Sequence, residues 1–183
     1  MEKEFGECKL QIAKQIFLSA QKQLEEKIFG GITISHIYEK IEPHKRFRRL
    51  QYQIEFSDDG KPELYVKVLN DEEDGVVPEL FFSSAQLNTV ALSVFLGGAL
   101  SSHNPEVKTI FIDDPIGHFD DLNVLSFIDV IRTIISETDW QIIISTHEEN
   151  FYEIMKVKLN PKYYNSKFLV FKDEGIVVED EVL

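Results

Sequence analysis

Apolar residues recur every three or four positions along the first stretch of the chain, at Leu10, Ala13, Ile16, Phe17, Ala20 and Leu24. This spacing predicts one amphipathic helix over 2–29. The Lys, Glu and Gln between them are good helix formers, and the narrow stripe is that of a coiled-coil seam. Gly30 and Gly31 break or kink the helix. "ITISHIYEKI" (32–41) continues as a further helical piece, which Pro43 ends. The period then changes to two. "RRLQYQIEF" (48–56) alternates through Leu50, Tyr52, Ile54 and Phe56, and "ELYVKVL" (63–69) through Leu64, Val66 and Val68. "SDDGKP" between them is turn chemistry, so 48–69 reads as a strand pair. "NDEEDGVVP" (70–78) reads as an acidic loop.

From residue 83 short apolar runs alternate with helical periods. The pattern predicts a helix at 84–100, a strand at 107–112, a helix at 121–136, a strand "QIIIS" (141–145), a helix at 148–158, and a terminal strand pair in "KFLVF" and "GIVVED". Val124, Phe127, Ile128, Ile131 and Ile135 share one face of the 121–136 helix. "QIIIS" reads as buried on both faces. Strands alternating with helices predict an α/β fold with a mostly parallel sheet flanked by helices.

The bulk numbers narrow the classes. With 183 residues, 43% of them hydrophobic, the chain can bury one real core. Its apolar runs are far shorter than a bilayer span, and the acidic start "MEKEFGECKL" does not suit a signal peptide. Cys8 is the single cysteine, so no internal disulfide can form, and a reduced cytoplasmic setting is expected. The net charge of −13 lacks the cationic footprint of a nucleic-acid-binding domain. Any contact with DNA would then run through a local patch or a larger assembly. The one basic run is "HKRFRR" (44–49). His44, Lys45, Arg46, Arg48 and Arg49 either solvate the start of a strand or contact phosphates.

Three stretches carry candidate chemistry. In "FSSAQ" (82–86), Ser83 and Gln86 fit the capping box S-x-x-Q, so a helix begins with free backbone N–H groups beside the small residues Ser84 and Ala85. Such a start is either a plain cap or a seat for a phosphate oxygen. "TIFIDDPIGHFDD" (109–121) ends a buried strand in Asp113 and Asp114, at the edge where open α/β sheets bind ligands. Strand alternation sends the two side chains to opposite sides, so the pair is either a plain strand-end turn or a site with one carboxylate toward a Mg²⁺ and the other toward a water. Asp120 is either the cap of the next helix or part of the site. "QIIISTHEEN" (141–150) puts His147 at the tip of the second strand, where it can reach a phosphate or stand in solvent.

In that order and spacing the three stretches resemble the C-terminal half of the ATPase head of the SMC, RecF and RecN group of ABC-type proteins. The resemblance divides the chain into 1–42, the end of a coiled-coil arm with its connecting helix, and 43–183, the C-terminal lobe of the head. It implies that Phe82, Ser83, Ser84, Ala85 and Gln86 form the signature that meets the γ-phosphate of an ATP held by the opposite head. It implies that Asp113 holds Mg²⁺, that Asp114 polarises the attacking water, that Asp120 belongs to the loop facing the second head, and that His147 is the switch histidine. DNA would cross near Lys45, Arg46, Arg48 and Arg49. Partners implied are a second head, DNA, and a nuclease or clamp-closing subunit, in a cytoplasmic, nucleoid-associated setting. The chain departs from the family at Ser84 and Ala85, where the signature has glycines, and at Asp114, where a glutamate is usual.

No G-x-x-x-x-G-K-S/T occurs in the chain. The backbone cradle and lysine that grip β- and γ-phosphates must therefore come from elsewhere. The expectation is a half-site, inactive alone, whose missing N-terminal lobe carries the Walker A motif. Two other readings stay open. Asp113, Asp114, Asp120 and His147 could form the two-metal site of a phosphodiesterase or nuclease, or the chain could be a non-catalytic module that dimerises through 2–29.

Overall fold

The computed structural model describes residues 34–41, 46–57, 61–70, 72, 74–101, 106–172 and 175–180, together with positions 11, 12, 15, 16 and 19. Those five positions are helical and exposed. The rest of the helix expected at 2–29, the Gly30–Gly31 break, Pro43, His44, Lys45 and the boundary at 42/43 lie outside the described residues.

Helix α1 (Ile34–Ile41) buries Ile34, Ile37, Tyr38 and Ile41, the one-sided stripe that its period predicts. Strands β1 (Arg49–Phe56) and β2 (Pro62–Leu69) pair antiparallel with Arg49 opposite Leu69 and Phe56 opposite Pro62. The Ser35 hydroxyl staples α1 to this hairpin, donating to Leu50 O at 3.0 Å and accepting from Leu50 N at 3.1 Å. The acidic loop holds more order than its composition suggests. Asn70 Oδ1 accepts from Glu72 N at 3.0 Å and Asp74 N at 2.8 Å, and the turn so formed delivers a two-residue strand β3 (Gly75–Val76) to β2. A four-residue helix α2 (Pro78–Phe81), begun by proline, follows.

Helix α3 (Ser84–Leu100) packs against α1. Strand β4 (Thr109–Asp113), helix α4 (Asp121–Glu137), strand β5 (Gln141–Ser145) and helix α5 (Glu149–Lys158) follow in turn, and β6 (Leu169–Phe171) pairs with β7 (Val177–Glu179). β4 and β5 run parallel, with Asp113 opposite Ser145. Among the described residues this is the parallel pairing, and the other strand pairs are antiparallel. The fold is α/β, a parallel pair flanked by helices. Phe127, fully buried, stands at the centre of the core between Phe119 and Phe151, each 6.3 Å away ring to ring.

One expectation about burial fails. β5 is not buried on both faces, since Ile142 and Ile144 are half-covered and Ile143 is 42% exposed. Phe111, opposite it on β4, is 68% exposed. Both faces of the ribbon are apolar in sequence, but the described residues cover only the one carrying Ile110 and Ile112. The C-terminal strands are anchored by Lys156, whose ammonium lies 2.7 Å from Glu153 and 3.0 Å from Asp180, while the Tyr152 hydroxyl donates to Asp180 at 3.1 Å. Hydrogen bonds from Lys156 and then Tyr152 hold the Asp180 carboxyl below its ordinary range, and those to Glu153 and Asp180 raise Lys156.

Candidate functional site

The start of α3 is built by two successive caps. Phe82 N donates to Pro78 O at 2.8 Å and closes α2. Ser83 then takes extended backbone as N-cap. Its hydroxyl accepts from Gln86 N at 3.3 Å, and Gln86 Oε1 accepts from Ser83 N at 3.0 Å. The capping box is therefore complete, and the Gln86 carboxamide oxygen is committed to it. Ser83 and Ser84 are exposed, while Phe82, Ala85 and Gln86 are half-buried. Phe82 leans on Phe47, ring centroids 6.4 Å apart, and the Arg46 guanidinium sits 5.5 Å over the Phe47 ring. The basic segment is thus packed against the first residue of the signature stretch. Arg46, Arg48 and Arg49 reach the surface there, and the Arg49 guanidinium donates to Asn70 O at 3.3 Å.

The C-terminal end of the β4–β5 ribbon collects the acidic and histidine residues. Cross-strand register sets Ser145 against Asp113, and the serine hydroxyl donates to Asp113 Oδ1. Asp114 follows in the left-handed region at φ 46°, with its N–H donating to Ser145 O at 2.8 Å. Strand alternation therefore stops at Asp113 and does not govern where Asp114 points. The Asp114 carboxylate turns to the residues beyond β5. It accepts from Thr146 Oγ1 at 3.3 Å and lies 3.0 Å from His147 Nδ1. Thr146 in turn accepts from Glu148 N at 3.1 Å, which orders the entry to α5. The His147 side chain remains 75% exposed, with Nε2 3.6 Å from Glu148 Oε1.

Between these two groups runs the loop 114–120. Asn88, in the second turn of α3, donates from Nδ2 to Pro115 O at 3.0 Å and Gly117 O at 3.1 Å. Phe119 packs edge-on against Phe127. Asp120 caps α4, its carboxylate accepting from Asn123 N at 2.8 Å. A shallow depression of about 460 Å³ separates α3 from the loop, lined by Ser84, Leu87, Asn88 and Ala91 on one side and Asp114, Gly117 and His118 on the other.

The structure thus brings Asp113, Asp114 and His147 to one strand end and sets Ser84 across a depression from Asp114. Asp120 is at the far end of the loop, with one carboxylate oxygen committed to its cap. Two contributors lacked a sequence signal. Nothing marks Asn88 before α3 and the loop are docked, and Ser145 gains its meaning from the register with Asp113.

Asp113 and Ser145 offer hard oxygen donors. Mg²⁺ takes one or two carboxylates and fills the rest of its octahedron with water and phosphate oxygens, so this donor set suits it. Among the described residues no group of three or more His, Cys, Asp or Glu converges on a metal position. The two-metal site of a phosphodiesterase, drawn from Asp113, Asp114, Asp120 and His147, is not assembled. No helix among the described residues is long and apolar enough to cross a membrane.

No family model matches the chain. Over 129 residues, 68% of its length, it is 27% identical to the anticodon nuclease of Escherichia coli, and it spans 32% of the length of that relative. Among solved structures it superposes on an SMC ATPase, described for ATP-driven dimerization and DNA-stimulated activation, with TM-score 0.61 and 16% identity over 92% of this chain and 90% of the other. It matches an Smc head bound to the C-winged helix domain of ScpA with TM-score 0.61 and 18% identity, covering 92% of this chain and 45% of the other. An Smc head domain with a coiled coil and joint from Pyrococcus yayanosii gives 0.60 and 17%, covering 94% and 29%. The chain has the fold of part of an SMC ATPase head.

Proposed function

We propose that this chain is the C-terminal part, 43–183 with a coiled-coil end at 1–42, of an SMC-like ATPase head that acts on DNA by ATP-driven head dimerisation. The observation that carries the reading is the meeting of Asp113, Asp114 and His147 at one strand end, with Asp114 set across a depression from Ser84 at the capped start of α3. Phosphoryl transfer asks a protein for positioning and charge stabilisation more than covalent chemistry, and these groups supply parts of both. Asp113, steadied by Ser145, would hold a Mg²⁺, which when bound neutralises phosphate charge. Asp114 would orient water and draw its proton. The Asp114 carboxylate fixes the ring of His147, whose other edge would face the γ-phosphate. Ser83, Ser84 and the first N–H groups of α3 would meet the phosphate held by the opposite head.

The half-covered ribbon supports a missing lobe. Phe111 and Ile143 offer an apolar surface that a Walker A-bearing lobe would bury, at about 1.5–3 kcal/mol for each side chain fully covered. The Arg46–Phe47–Phe82 stack supports a DNA contact communicating with the signature stretch. A head that acts on DNA in this way would work in the cytoplasm, at the nucleoid. A second reading rests on the likeness to anticodon nuclease. There the head would gate a nuclease that cleaves tRNA, and induction in cells would yield cut tRNA.

The test uses this chain with its Walker A lobe. The pair should hydrolyse ATP with Mg²⁺, and the chain alone should not. Asp114→Asn in the pair should accumulate ATP-bound dimers on gel filtration. Strong hydrolysis by the isolated chain, or monomers only from the variant with ATP, contradicts the proposal.

A further inference from the structure

Loop 114–120 holds two non-glycine residues in left-handed backbone, Asp114 at φ 46° and His118 at φ 71°. L-residues avoid that region because Cβ crowds the following carbonyl, so such residues persist where surrounding contacts over-determine them. The Asp114 carboxylate is held by Thr146 and His147, and Phe119 packs on Phe127. At one end Asp114 N–H is tied to Ser145 O, and at the other Phe119 N donates to Ile116 O at 2.9 Å. Between these ends Asn88 spans the loop, and its single amide nitrogen serves both Pro115 O and Gly117 O.

We propose that Asn88 is a positioning residue that makes the start of α3 and the loop carrying Asp114 move as one body. A primary amide is suited to this, because it places two N–H donors on one short, stiff stem. A leucine has neither donor, and an aspartate would set a carboxylate against two carbonyl oxygens. Asn88 lies one turn beyond Ser84 on α3, and both line the depression that Asp114 closes from the other side. Pressure on the first turn of α3 is therefore passed through the Asn88 amide to the backbone on either side of Ile116, next to Asp114. The inference rests on the ATPase reading above and deepens it. Engagement of the α3 start by the opposite head's phosphate would set the position of Asp114 in this chain's own site.

Asn88→Leu and Asn88→Asp, each in this chain combined with its Walker A lobe, test the proposal. Small misplacement of a group at the reacting centre costs up to about 10²-fold in rate, so kcat should fall about tenfold or more. KM for ATP should stay within about twofold, because the cradle and lysine proposed to grip the β- and γ-phosphates belong to the other lobe and Asn88 itself touches only the loop. In hydrogen exchange the Asp114 and Phe119 amides should lose about tenfold in protection, with α4 and the β1–β2 hairpin unchanged. Wild-type kcat, a rise in KM alone, or a loss of protection spread through the whole chain would overturn the proposal. A wild-type pair without ATP turnover refutes the ATPase reading instead. The exchange arm then decides, and unchanged protection at Asp114 and Phe119 overturns the positioning role. If Asn88→Leu fails to fold, the nearly isosteric Asn88→Asp carries both arms.

Discussion

Gly97 is where α3 meets α1 most closely, and replacing it with alanine sets two known effects against each other. An added Cβ would lie 2.0 Å from Ile34 Cγ1, 2.8 Å from Cδ1 and 3.0 Å from Cβ. Carbon atoms pack at about 3.5–4.0 Å, so Ile34 must retreat by roughly 1.5 Å. It has little room, being 1% exposed and wedged between helices. Overpacking of this severity belongs at the upper end of the usual range, about 3 kcal/mol. Alanine gains about 1 kcal/mol over glycine in a helix interior. Overpacking therefore wins by about 2 kcal/mol. For a chain of this size that is about 4–8 °C in Tm. Gly98 is the control, since an added Cβ there meets nothing within 4 Å among the described residues. Gly98→Ala should stabilise by up to about 1 kcal/mol. Denaturant unfolding followed by far-UV circular dichroism reads both, as a midpoint shift at constant slope. In a double-mutant cycle, Ile34→Ala removes the two atoms most crowded by the new methyl. Its cost should shrink by about 1 kcal/mol or more in the Gly97→Ala background. A Gly97→Ala chain that melts at or above wild type, or strict additivity in the cycle, would refute this account of how α3 is held in place.

Two further outcomes follow from the caps and the charged anchor. Asp120→Ala removes the N-cap of α4 and should cost about 1 kcal/mol by the same unfolding assay, while Asp120→Asn keeps an acceptor and most of the stability. Asp180 has a folded pKa below its ordinary value near 3.8, so its contribution is complete above that pH and is lost as pH falls through the depressed folded value. The Tyr152 and Lys156 contacts to the C-terminal strands should therefore loosen in acid, below about pH 4. Asp180→Asn should lower Tm at neutral pH and flatten its fall between about pH 4 and pH 2, which melting curves across that range would check.

Much of the fold was legible because local chemistry and tertiary packing agree. α3 begins and ends where its predicted period does, since Ser83 and Gln86 cap it whatever lies nearby. The strand pair at 48–69 and the terminal pair follow from alternation and turn residues that act over a few positions. β3 and α2 were missed because two and four residues are too short to show a period, and they exist only against β2 and the start of α3. The expected burial of "QIIIS" failed for a different reason. Composition states that a face is apolar and does not state whether anything covers it.

The site divides along the same line. Its residue types and order, the strand-end aspartates, the histidine tip and the capped helix start, are properties of the sequence alone, because each is set by its immediate neighbours. Their mutual geometry is not. Asp113 meets Ser145 through a register between strands 32 positions apart. Asp114 leaves the alternation of its strand and is held by Ser145, Thr146 and His147 at the end of β5, and the loop after it is bound to α3 by Asn88, 27 and 29 positions from its acceptors. The sequence by itself settled which chemical groups stand at the ends of these elements. Only the tertiary structure decided which groups touch, because contacts between distant residues form when packed elements bring them together and leave no periodic trace in the chain.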